Sequence, residues 1–298
     1  MSDRSLYDCI IIGGGPAGLT AGLYLARFRR NILIYDTYTS RANKIVISNN
    51  YPGFPEGISG KELLERLRKQ ISFYKVPLIE EKVEAIKQLN KHFMIKTLDS
   101  ISYTRNVILA TGIEDKSLAL PNISEGITSG LIRYCPVCDA YEAINKHVAV
   151  LGEGTPALEE ALYLSDFTEH VTLISTGTSW SKKQSLQLQR ARISVLRREI
   201  NKMAFSHNKV TLLNYEAGAL EFDCVYFALG CVKNNKLASD VNATLKQGLL
   251  VVNKKQQTSV AGLFAAGDVV SGLNQLCVAT SQAAIAATAI HTRCRQVL

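Results

Sequence analysis

Two cysteines near the middle of this 298-residue sequence, Cys135 and Cys138, are separated by two residues and followed directly by Asp139. Thiols at this spacing can close a small disulfide ring, and neighbouring groups set their pKa values. The thiolate is the nucleophile in disulfide exchange, so a nearby acid or base has to manage the protons. The sequence therefore indicates a redox-active dithiol with a carboxyl group beside it.

A structural zinc site and an accidental buried pair are the alternatives for these two thiols. A structural zinc takes about four ligands, normally from two such pairs, and the sequence has one pair. We therefore expect no metal. The other cysteines are isolated in the sequence and are expected to be core or surface thiols: Cys9, Cys224, Cys231, Cys277 and Cys294.

The cysteine usage and the apolar runs bear on localisation. Seven cysteines with one close pair do not form the framework of a secreted disulfide protein. Residues 1–8 contain acids and lack the apolar core of a signal peptide. The longest apolar run, Leu276 to Ile290, is too short for a membrane span and contains polar residues. We expect a cytoplasmic protein that does not bind membranes.

The N-terminal segment has the pattern of a dinucleotide site: strand, glycine turn, helix, strand and acid. An apolar run at 8–12 leads into Gly13-Gly14-Gly15-Pro16-Ala17-Gly18. The first glycine permits a tight turn, Gly15 lets the backbone approach a pyrophosphate, and Gly18 lets the helix pack closely on the sheet. Asp36 follows 18 residues after Gly18, where a carboxylate can bind ribose hydroxyls.

A second unit of the same kind begins after Pro121. A strand at 147–151 leads into a GxGxxA turn, and another strand follows at 171–175. The residues of this turn that would form a second nucleotide site are Gly152, Gly154, Thr155 and Ala157. The predicted fold class is therefore α/β, with two Rossmann-like nucleotide-binding domains.

In order and spacing, these motifs resemble the low-molecular-weight thioredoxin reductase family of flavoproteins over nearly the whole chain. The motifs that carry the resemblance are Gly13 to Gly18, Asn50-Tyr51-Pro52-Gly53, Ala110-Thr111-Gly112, Cys135 to Asp139, Gly152 to Ala157 with Glu159 to Leu164, and Ala265-Ala266-Gly267-Asp268. The resemblance implies an FAD-binding domain made of residues 1–114 and 246–298. It also implies an inserted NAD(P)H-type domain, residues 115–245, that carries the cysteine pair.

The resemblance also implies the roles of the site residues. Cys138 would face the flavin, Cys135 would attack the substrate disulfide, and Asp139 would act as acid and base. The residues expected to bind FAD are Gly13, Gly15, Pro16, Ala17, Gly18, Asp36, Arg41, Asn50, Val83, Thr111, Gly112, Gly267, Asp268 and Gln275. The partner would be the disulfide of a thioredoxin-like protein, and the chain would form a homodimer.

The second nucleotide site departs from the family pattern. Family members bind the 2′-phosphate of NADPH with arginines just after the second strand of the middle domain. Residues 174–180 hold neither those arginines nor the Asp or Glu that favours the free ribose diol of NAD. Glu153, inside the glycine turn, would oppose a pyrophosphate if it points inward. We therefore expect an electron donor other than NADPH.

Three arrangements of the electron donor remain open. Lys182 and Lys183 could replace the missing arginines and restore NADPH, the turn could hold a second flavin, or ferredoxin or flavodoxin could reduce the FAD. Those carriers are acidic, and the net charge of +8 with the basic segment Lys182 to Lys202 favours their docking. The other interpretation of this segment is a solvated helix face.

The leading hypothesis is a flavin-dependent disulfide oxidoreductase that reduces a protein disulfide. The alternatives are a small-molecule dithiol oxidase that uses FAD and oxygen, an ordinary NADPH-dependent thioredoxin reductase, and a non-enzymatic flavin redox sensor. Nucleic-acid binding is not expected, because the basic segment lacks interleaved aromatic residues beyond Trp180.

Overall fold

A computed structural model of the chain describes residues 6–177, 179–206, 208–214, 218–270 and 272–296. Met1 to Ser5, on which the expected absence of a signal peptide partly rests, lie outside the described residues, as does Thr178. Contacts between residues divide the chain into two compact units. Unit 1 comprises residues 1–45, 59–114 and 233–298, and unit 2 comprises residues 46–58 and 115–232.

The strands are β1 (Cys9–Ile12), β2 (Ile32–Asp36), β3 (Leu78–Glu80), β4 (Ala85–Leu89), β5 (His92–Lys96), β6 (Ile101–Thr104), β7 (Val107–Leu109), β8 (Ile113–Asp115), β9 (Ile132–Arg133), β10 (Val148–Gly152), β11 (Val171–Ser175), β12 (Ser194–Arg197), β13 (Lys202–Ser206), β14 (Lys209–Asn214), β15 (Gly218–Phe222), β16 (Cys224–Ala228), β17 (Cys231–Lys233), β18 (Leu245–Lys246), β19 (Leu249–Leu250) and β20 (Leu263–Ala265). The α-helices are α1 (Pro16–Arg27), α2 (Gly60–Ser72), α3 (Ile123–Thr128), α4 (Pro136–Asp139), α5 (Gly154–Ser165), α6 (Lys182–Arg190), α7 (Lys236–Ser239) and α8 (Leu276–Arg295). Two short 3₁₀ helices cover Arg41–Lys44 and Tyr141–Ala143.

Unit 1 is built on a parallel sheet with the strand order β20-β7-β1-β2-β3. Strands β1 and β7 are buried along their whole length, as expected of apolar parallel strands that are covered on both faces. One apolar cluster joins the sheet to α1 and α8 and contains Leu19, Leu25 and Ile290. A second cluster joins the sheet to β4 and β5 of the antiparallel sheet β4-β5-β6 and contains Phe93 and Ile95.

Unit 2 repeats this plan with the parallel strand order β12-β11-β10-β16-β9. Helix α5 buries Leu158, Ala161 and Leu164 in one apolar cluster. The antiparallel strands β13, β14 and β15 contribute Met203 and Val210 to the other. The predicted α/β fold with two Rossmann-like units is confirmed.

The limits of the two units differ from the expected domain limits at two places. Residues 233–245 belong to unit 1 rather than to the inserted domain, because Leu237, Ala238 and Val241 are buried in an apolar cluster of unit 1. Residues 46–58 belong to unit 2, in which the amide of Asn49 donates a hydrogen bond to Glu142 at 2.6 Å.

The basic segment Lys182 to Lys202 is helical only in its first half, where the exposed Lys182, Lys183 and Arg190 agree with the interpretation as a solvated helix face. Helix α6 ends at Arg190, and Arg192 takes a left-handed backbone conformation with φ of 55°. The β-branched Ile193 and Val195 then lead into β12, which pairs with β11.

Helix α8 contains the longest apolar run of the sequence. It buries a row of small and apolar residues that includes Ala283, Ala287 and Ile290, as expected of a core helix. In the part of the chain that the structure describes, no helix is long and apolar enough to cross a membrane.

Candidate active site

The cysteine pair lies at the start of the short helix α4 in unit 2. Cys135 and Cys138 are joined by a disulfide, with their Cα atoms 5.3 Å apart. Cys135 is the extended residue before the helix, and the Cys138 N–H donates to its carbonyl at 2.9 Å. Pro136 suits the first helical position, because its fixed φ favours the helix and its missing N–H would have no intrahelical partner. Both cysteines are half-buried, and Val137 between them is exposed.

Asp139 ends α4 and is held by two buried or half-buried side chains. The hydroxyl of Tyr226, on β16, donates to Asp139 Oδ1 at 2.9 Å. Arg133, on β9, places Nε 3.9 Å from Asp139 Oδ2, and its Nη1 donates to the Asp139 carbonyl at 3.0 Å and to the Tyr226 oxygen at 3.1 Å. Arg133 and Tyr226 thus fix the orientation of the carboxyl group.

Burial raises the pKa of Asp139 to about 6, while the charge of Arg133 and the hydrogen bond from Tyr226 oppose the rise. A carboxyl group with this pKa holds and releases a proton near neutral pH. Burial also raises the pKa of Tyr226, and the nearby Asp139 adds to this effect, so the phenol keeps its proton and remains a hydrogen-bond donor.

The five remaining cysteines form no disulfide. Cys9, Cys224 and Cys294 are buried, Cys231 is half-buried and Cys277 is exposed, as expected of core and surface thiols. Among the described residues, no group of three or more His, Cys, Asp or Glu side chains could hold a metal ion.

The glycine turn of unit 1 joins β1 to α1. Gly13 has φ of 109°, and a Cβ on Gly18 would lie 1.7 Å from the carbonyl oxygen of Gly13, so the helix approaches the turn as closely as the motif predicts. Helix α1 begins with Pro16 after Gly15, and within the described residues no side chain caps its first N–H groups. Such a helix start favours a phosphate.

Asp36 ends β2 next to this turn. Its carboxylate is only 4% exposed, and Oδ1 accepts hydrogen bonds from the N–H groups of Gly14 and Tyr38, each at 3.1 Å. Arg68 Nη2 lies 3.3 Å from Oδ2. The turn, the open helix start and the buried acid together fit the pyrophosphate and ribose of a dinucleotide such as FAD.

Asp268 follows β20, and the structure brings it together with Arg41. The two side chains form an ion pair at 3.2 Å and are both largely buried. Gly267 has φ of 82° and its N–H donates to Gln282 Oε1 of α8 at 2.8 Å, which fixes the turn before Asp268. Two residues predicted to bind FAD, far apart in the sequence, therefore lie side by side.

The other residues predicted to bind FAD lie in both units and make separate contacts. In unit 1, Thr111 Oγ1 donates to the Asn234 carbonyl at 2.7 Å, and Gln275 precedes α8. Val83 is buried in an apolar cluster of that unit. Asn50 lies in unit 2, where its amide donates to the Val137 carbonyl at 3.3 Å.

The glycine turn of unit 2 joins β10 to α5. A Cβ on Gly152 would lie 2.4 Å from the carbonyl oxygen of Ala228, Gly154 has φ of 64°, and Ala157 is fully buried. Thr155 is exposed in the first turn of α5. The backbone of a nucleotide-binding turn is therefore present in both units.

Glu153, in this second turn, is directed toward the loop after β11. Its Oε1 accepts hydrogen bonds from Thr176 N at 2.5 Å, Thr176 Oγ1 at 2.7 Å and Gly177 N at 3.3 Å. Residues 174–180 contain no Asp or Glu, but the carboxylate of Glu153 from the neighbouring turn is hydrogen-bonded to this loop.

Sequence reasoning missed Arg133 and Tyr226 as partners of Asp139, and it missed the contact of Glu153 with the loop. Arg133 stands two residues before Cys135, so a basic residue next to the motif was an available signal. Tyr226 lies 87 residues from Asp139 and has no local signal.

The sequence profile of the family described as pyridine nucleotide-disulphide oxidoreductase matches residues 7–283. The chain belongs to this family. The chain is similar to the thioredoxin reductase of Treponema pallidum, with 32% identity over an alignment 295 positions long, and the match covers 95% of each protein. The thioredoxin reductase of Ureaplasma parvum is 32% identical over an alignment 306 positions long, and the match covers 96% of each protein.

A solved structure of a thioredoxin reductase is also similar to this chain. The crystal structure of thioredoxin reductase from Streptococcus pyogenes has a TM-score of 0.89 and 28% identity, and the match covers 99% of this chain and 100% of that one. The predicted membership of the low-molecular-weight thioredoxin reductase family is confirmed. This oxidoreductase is an FAD-dependent, thioredoxin reductase-like disulfide oxidoreductase.

Proposed function

We propose that this chain passes electrons from FAD through Cys135 and Cys138 to the disulfide of a thioredoxin-like protein, and that its electron donor is not NADPH. The observation that carries the proposal is the Cys135–Cys138 disulfide next to Asp139, whose pKa is raised to about 6. Relatives named thioredoxin reductases support the acceptor. We also propose that the chain works as a homodimer in the cytoplasm.

FAD, when bound and reduced, supplies the two electrons of this reaction. They break the Cys135–Cys138 bond, and Asp139 gives a proton to one of the two sulfurs. The thiolate of Cys135 then attacks the substrate disulfide, forms a mixed disulfide and releases one substrate sulfur, which takes up a proton. Cys138 gives its proton back to Asp139 and attacks the Cys135 sulfur of the mixed disulfide, which restores the original bond. The second substrate sulfur leaves and takes up a proton.

The loop after β11 supports a donor other than NADPH. Residues 174–180 contain no arginine, and the Glu153 carboxylate lies on the N–H groups of Thr176 and Gly177. A 2′-phosphate at this loop would meet a like charge rather than guanidinium groups. The donors that we propose are an acidic carrier such as ferredoxin or flavodoxin, or a second flavin in the Gly152 turn.

The deciding experiment compares donors on the FAD-loaded protein under anaerobic conditions. NADPH or reduced ferredoxin is added, flavin absorbance is followed, and thiols formed on oxidised thioredoxin are counted. We expect bleaching and thiol formation with ferredoxin, and no bleaching with stoichiometric NADPH. Cys135→Ser and Cys138→Ser should abolish thiol formation, whereas Cys277→Ser, which makes the same change at an exposed cysteine, should not.

Other outcomes of this experiment identify the other functions. Rapid bleaching by stoichiometric NADPH would contradict the proposed donor and indicate an ordinary NADPH-dependent reductase. Peroxide release in air with a small dithiol, without turnover of thioredoxin, would indicate a dithiol oxidase. Bound FAD without turnover of either substrate would indicate a redox sensor.

A further inference from the structure

The glycine turn of unit 1 shows where a carboxylate lies in this type of site. Ile12 and Tyr35 are the last paired residues of β1 and β2, and the acid Asp36 follows directly. A Cβ on Gly14 would lie 2.1 Å from Asp36 Oδ2. A side chain at the position of Gly14 would therefore begin in the space that the Asp36 carboxylate fills.

The corresponding positions of unit 2 follow from strand pairing. Leu151 and Ile174 are the last paired residues of β10 and β11, as Ile12 and Tyr35 are of β1 and β2. Two residues after Leu151, at the position of Gly14, stands Glu153. Directly after Ile174, at the position of the acid, stands Ser175, which is 1% exposed. The acid has thus moved from the strand end to the glycine turn.

The two carboxylates are held by the same backbone position. In unit 1, Asp36 accepts from the N–H of Tyr38, two residues after the end of β2, at 3.1 Å. In unit 2, Glu153 accepts from the N–H of Gly177, two residues after the end of β11, at 3.3 Å, and from Thr176 N at 2.5 Å. Each unit therefore places one carboxylate on the backbone N–H group two residues after the end of its second strand.

A carboxylate at this place distinguishes two kinds of dinucleotide. It accepts hydrogen bonds from the 2′-hydroxyl of a free adenosine ribose, as the acid of NAD-binding Rossmann sites does. Hydrogen bonds to a charged group are among the stronger ones. A 2′-phosphate offers no such donor, and its charge is repelled, which adds a penalty against the wrong ligand.

We propose that Glu153 makes the nucleotide site of unit 2 specific for a dinucleotide with a free 2′-hydroxyl, NAD(H), and excludes NADP(H). This specificity rests on the proposed function, because it gives the chemical reason why NADPH is excluded. It replaces the second flavin considered for the Gly152 turn with NAD(H), and the acidic carrier remains the proposed source of electrons. It concerns binding at unit 2 and is independent of the protein that the dithiol reduces.

Direct binding tests the specificity without enzyme turnover. NAD⁺ and NADP⁺ are titrated separately into the oxidised, FAD-loaded protein by isothermal titration calorimetry. Fluorescence of Trp180, the single tryptophan and part of the segment between β11 and α6, gives a second signal. The variant is Glu153→Gln, which keeps the size and removes the charge. The control is Glu159→Gln, which makes the same change at an exposed position of α5.

We expect the unchanged protein and Glu159→Gln to bind NAD⁺ at least about tenfold more tightly than NADP⁺, the value of one hydrogen bond to a charged group. Glu153→Gln should lose most of this preference while its FAD content stays the same. Binding of NADP⁺ equal to or tighter than NAD⁺, or no binding of either, would overturn the specificity. So would a preference that survives in Glu153→Gln.

The failure of this specificity can be told apart from the failure of the proposed function. Photoreduction of the bound FAD needs no nucleotide, and transfer to oxidised thioredoxin is then counted as thiols. If the photoreduced protein reduces thioredoxin but shows no preference for NAD⁺, the proposed disulfide chemistry holds. Only the proposed role of Glu153 is then contradicted.

Discussion

Single residues around the disulfide determine how protons reach the sulfurs, and Asp139 is the residue whose change tests this most directly. Asp139→Asn keeps the hydrogen-bonding shape and removes the titrating proton. We expect transfer from reduced FAD to the disulfide to slow by about 10²–10⁴-fold, the usual contribution of a general acid or base. Stopped-flow absorbance at neutral pH measures this rate. Asp166→Asn, at an exposed carboxylate after α5, should leave it unchanged.

Tyr226 offers a test through pH rather than rate alone. Its hydroxyl donates to Asp139 Oδ1 and thereby favours the ionised carboxylate, which lowers the Asp139 pKa. Tyr226→Phe removes this donor, so the pKa of Asp139 should rise further above its value of about 6. The part of the pH–rate profile that reflects the ionisation of Asp139 should then move to higher pH.

The matched control for this shift is Tyr134→Phe, which removes a hydroxyl from another tyrosine of unit 2. Tyr134 Oη lies 3.5 Å from Ser117 Oγ, and its ring packs edge-on against Phe227. An unchanged limb in Tyr226→Phe, or an equal movement in both variants, would contradict the assigned role of Tyr226.

At the scale of elements, the packing of α1 on its glycine turn is the feature most sensitive to one methyl group. In Gly18→Ala the new Cβ would meet the Gly13 carbonyl oxygen at 1.7 Å, and backbone cannot move aside as a side chain can. We expect a loss of about 1–3 kcal/mol in the free energy of unfolding, with loss of bound FAD. Thermal unfolding and flavin absorbance measure the two effects.

Gly22→Ala, one turn later in α1, is the control for this substitution. Its Cβ would meet Ile34 Cδ1 at 2.6 Å, the far end of a flexible side chain that can turn away. The better helix propensity of alanine, about 1 kcal/mol over glycine, partly offsets that contact. If both variants lost equal stability and FAD, the close approach at Gly18 would not be the cause.

Turns whose geometry depends on the steric requirements of one residue could be predicted from the sequence. The turns at Gly13 and Gly152 were predictable because adjacent strands and helices leave room only for hydrogen at those positions. The segment after α6 was not predictable from charge, because the left-handed turn at Arg192 ends the helix.

The parts of the site that the sequence did not predict depend on contacts between distant residues. Tyr226 of β16 pairs with Arg133 of β9, and Asp139 lies at the end of α4, which follows β9. No spacing rule links Tyr226 to Asp139, two residues 87 positions apart. Glu153 was visible in its motif, but the direction of its side chain depends on the loop after β11. Periodicity identifies elements, whereas such contacts depend on how the elements pair.

At the scale of the whole molecule, the charge of +8 is the property that bears on the electron donor. Part of the excess lies in unit 2, where Lys182 and Lys183 open α6 and are both exposed. Opposite charge accelerates the encounter of proteins without requiring a specific contact, and salt weakens this effect. The dependence on salt therefore separates docking by an acidic carrier from a merely solvated surface.

We predict that reduction of the bound FAD by ferredoxin slows steeply as salt increases, because the screening length falls from about 30 Å at 0.01 M to about 10 Å at 0.1 M. The double variant Lys182→Glu and Lys183→Glu should slow this reduction by roughly tenfold at low salt. The control is the double variant Lys254→Glu and Lys255→Glu, which changes two exposed lysines of unit 1 and alters the net charge by the same amount. Equal loss in both double variants would mean that net charge alone acts, and a rate independent of salt would rule out electrostatic docking of the carrier.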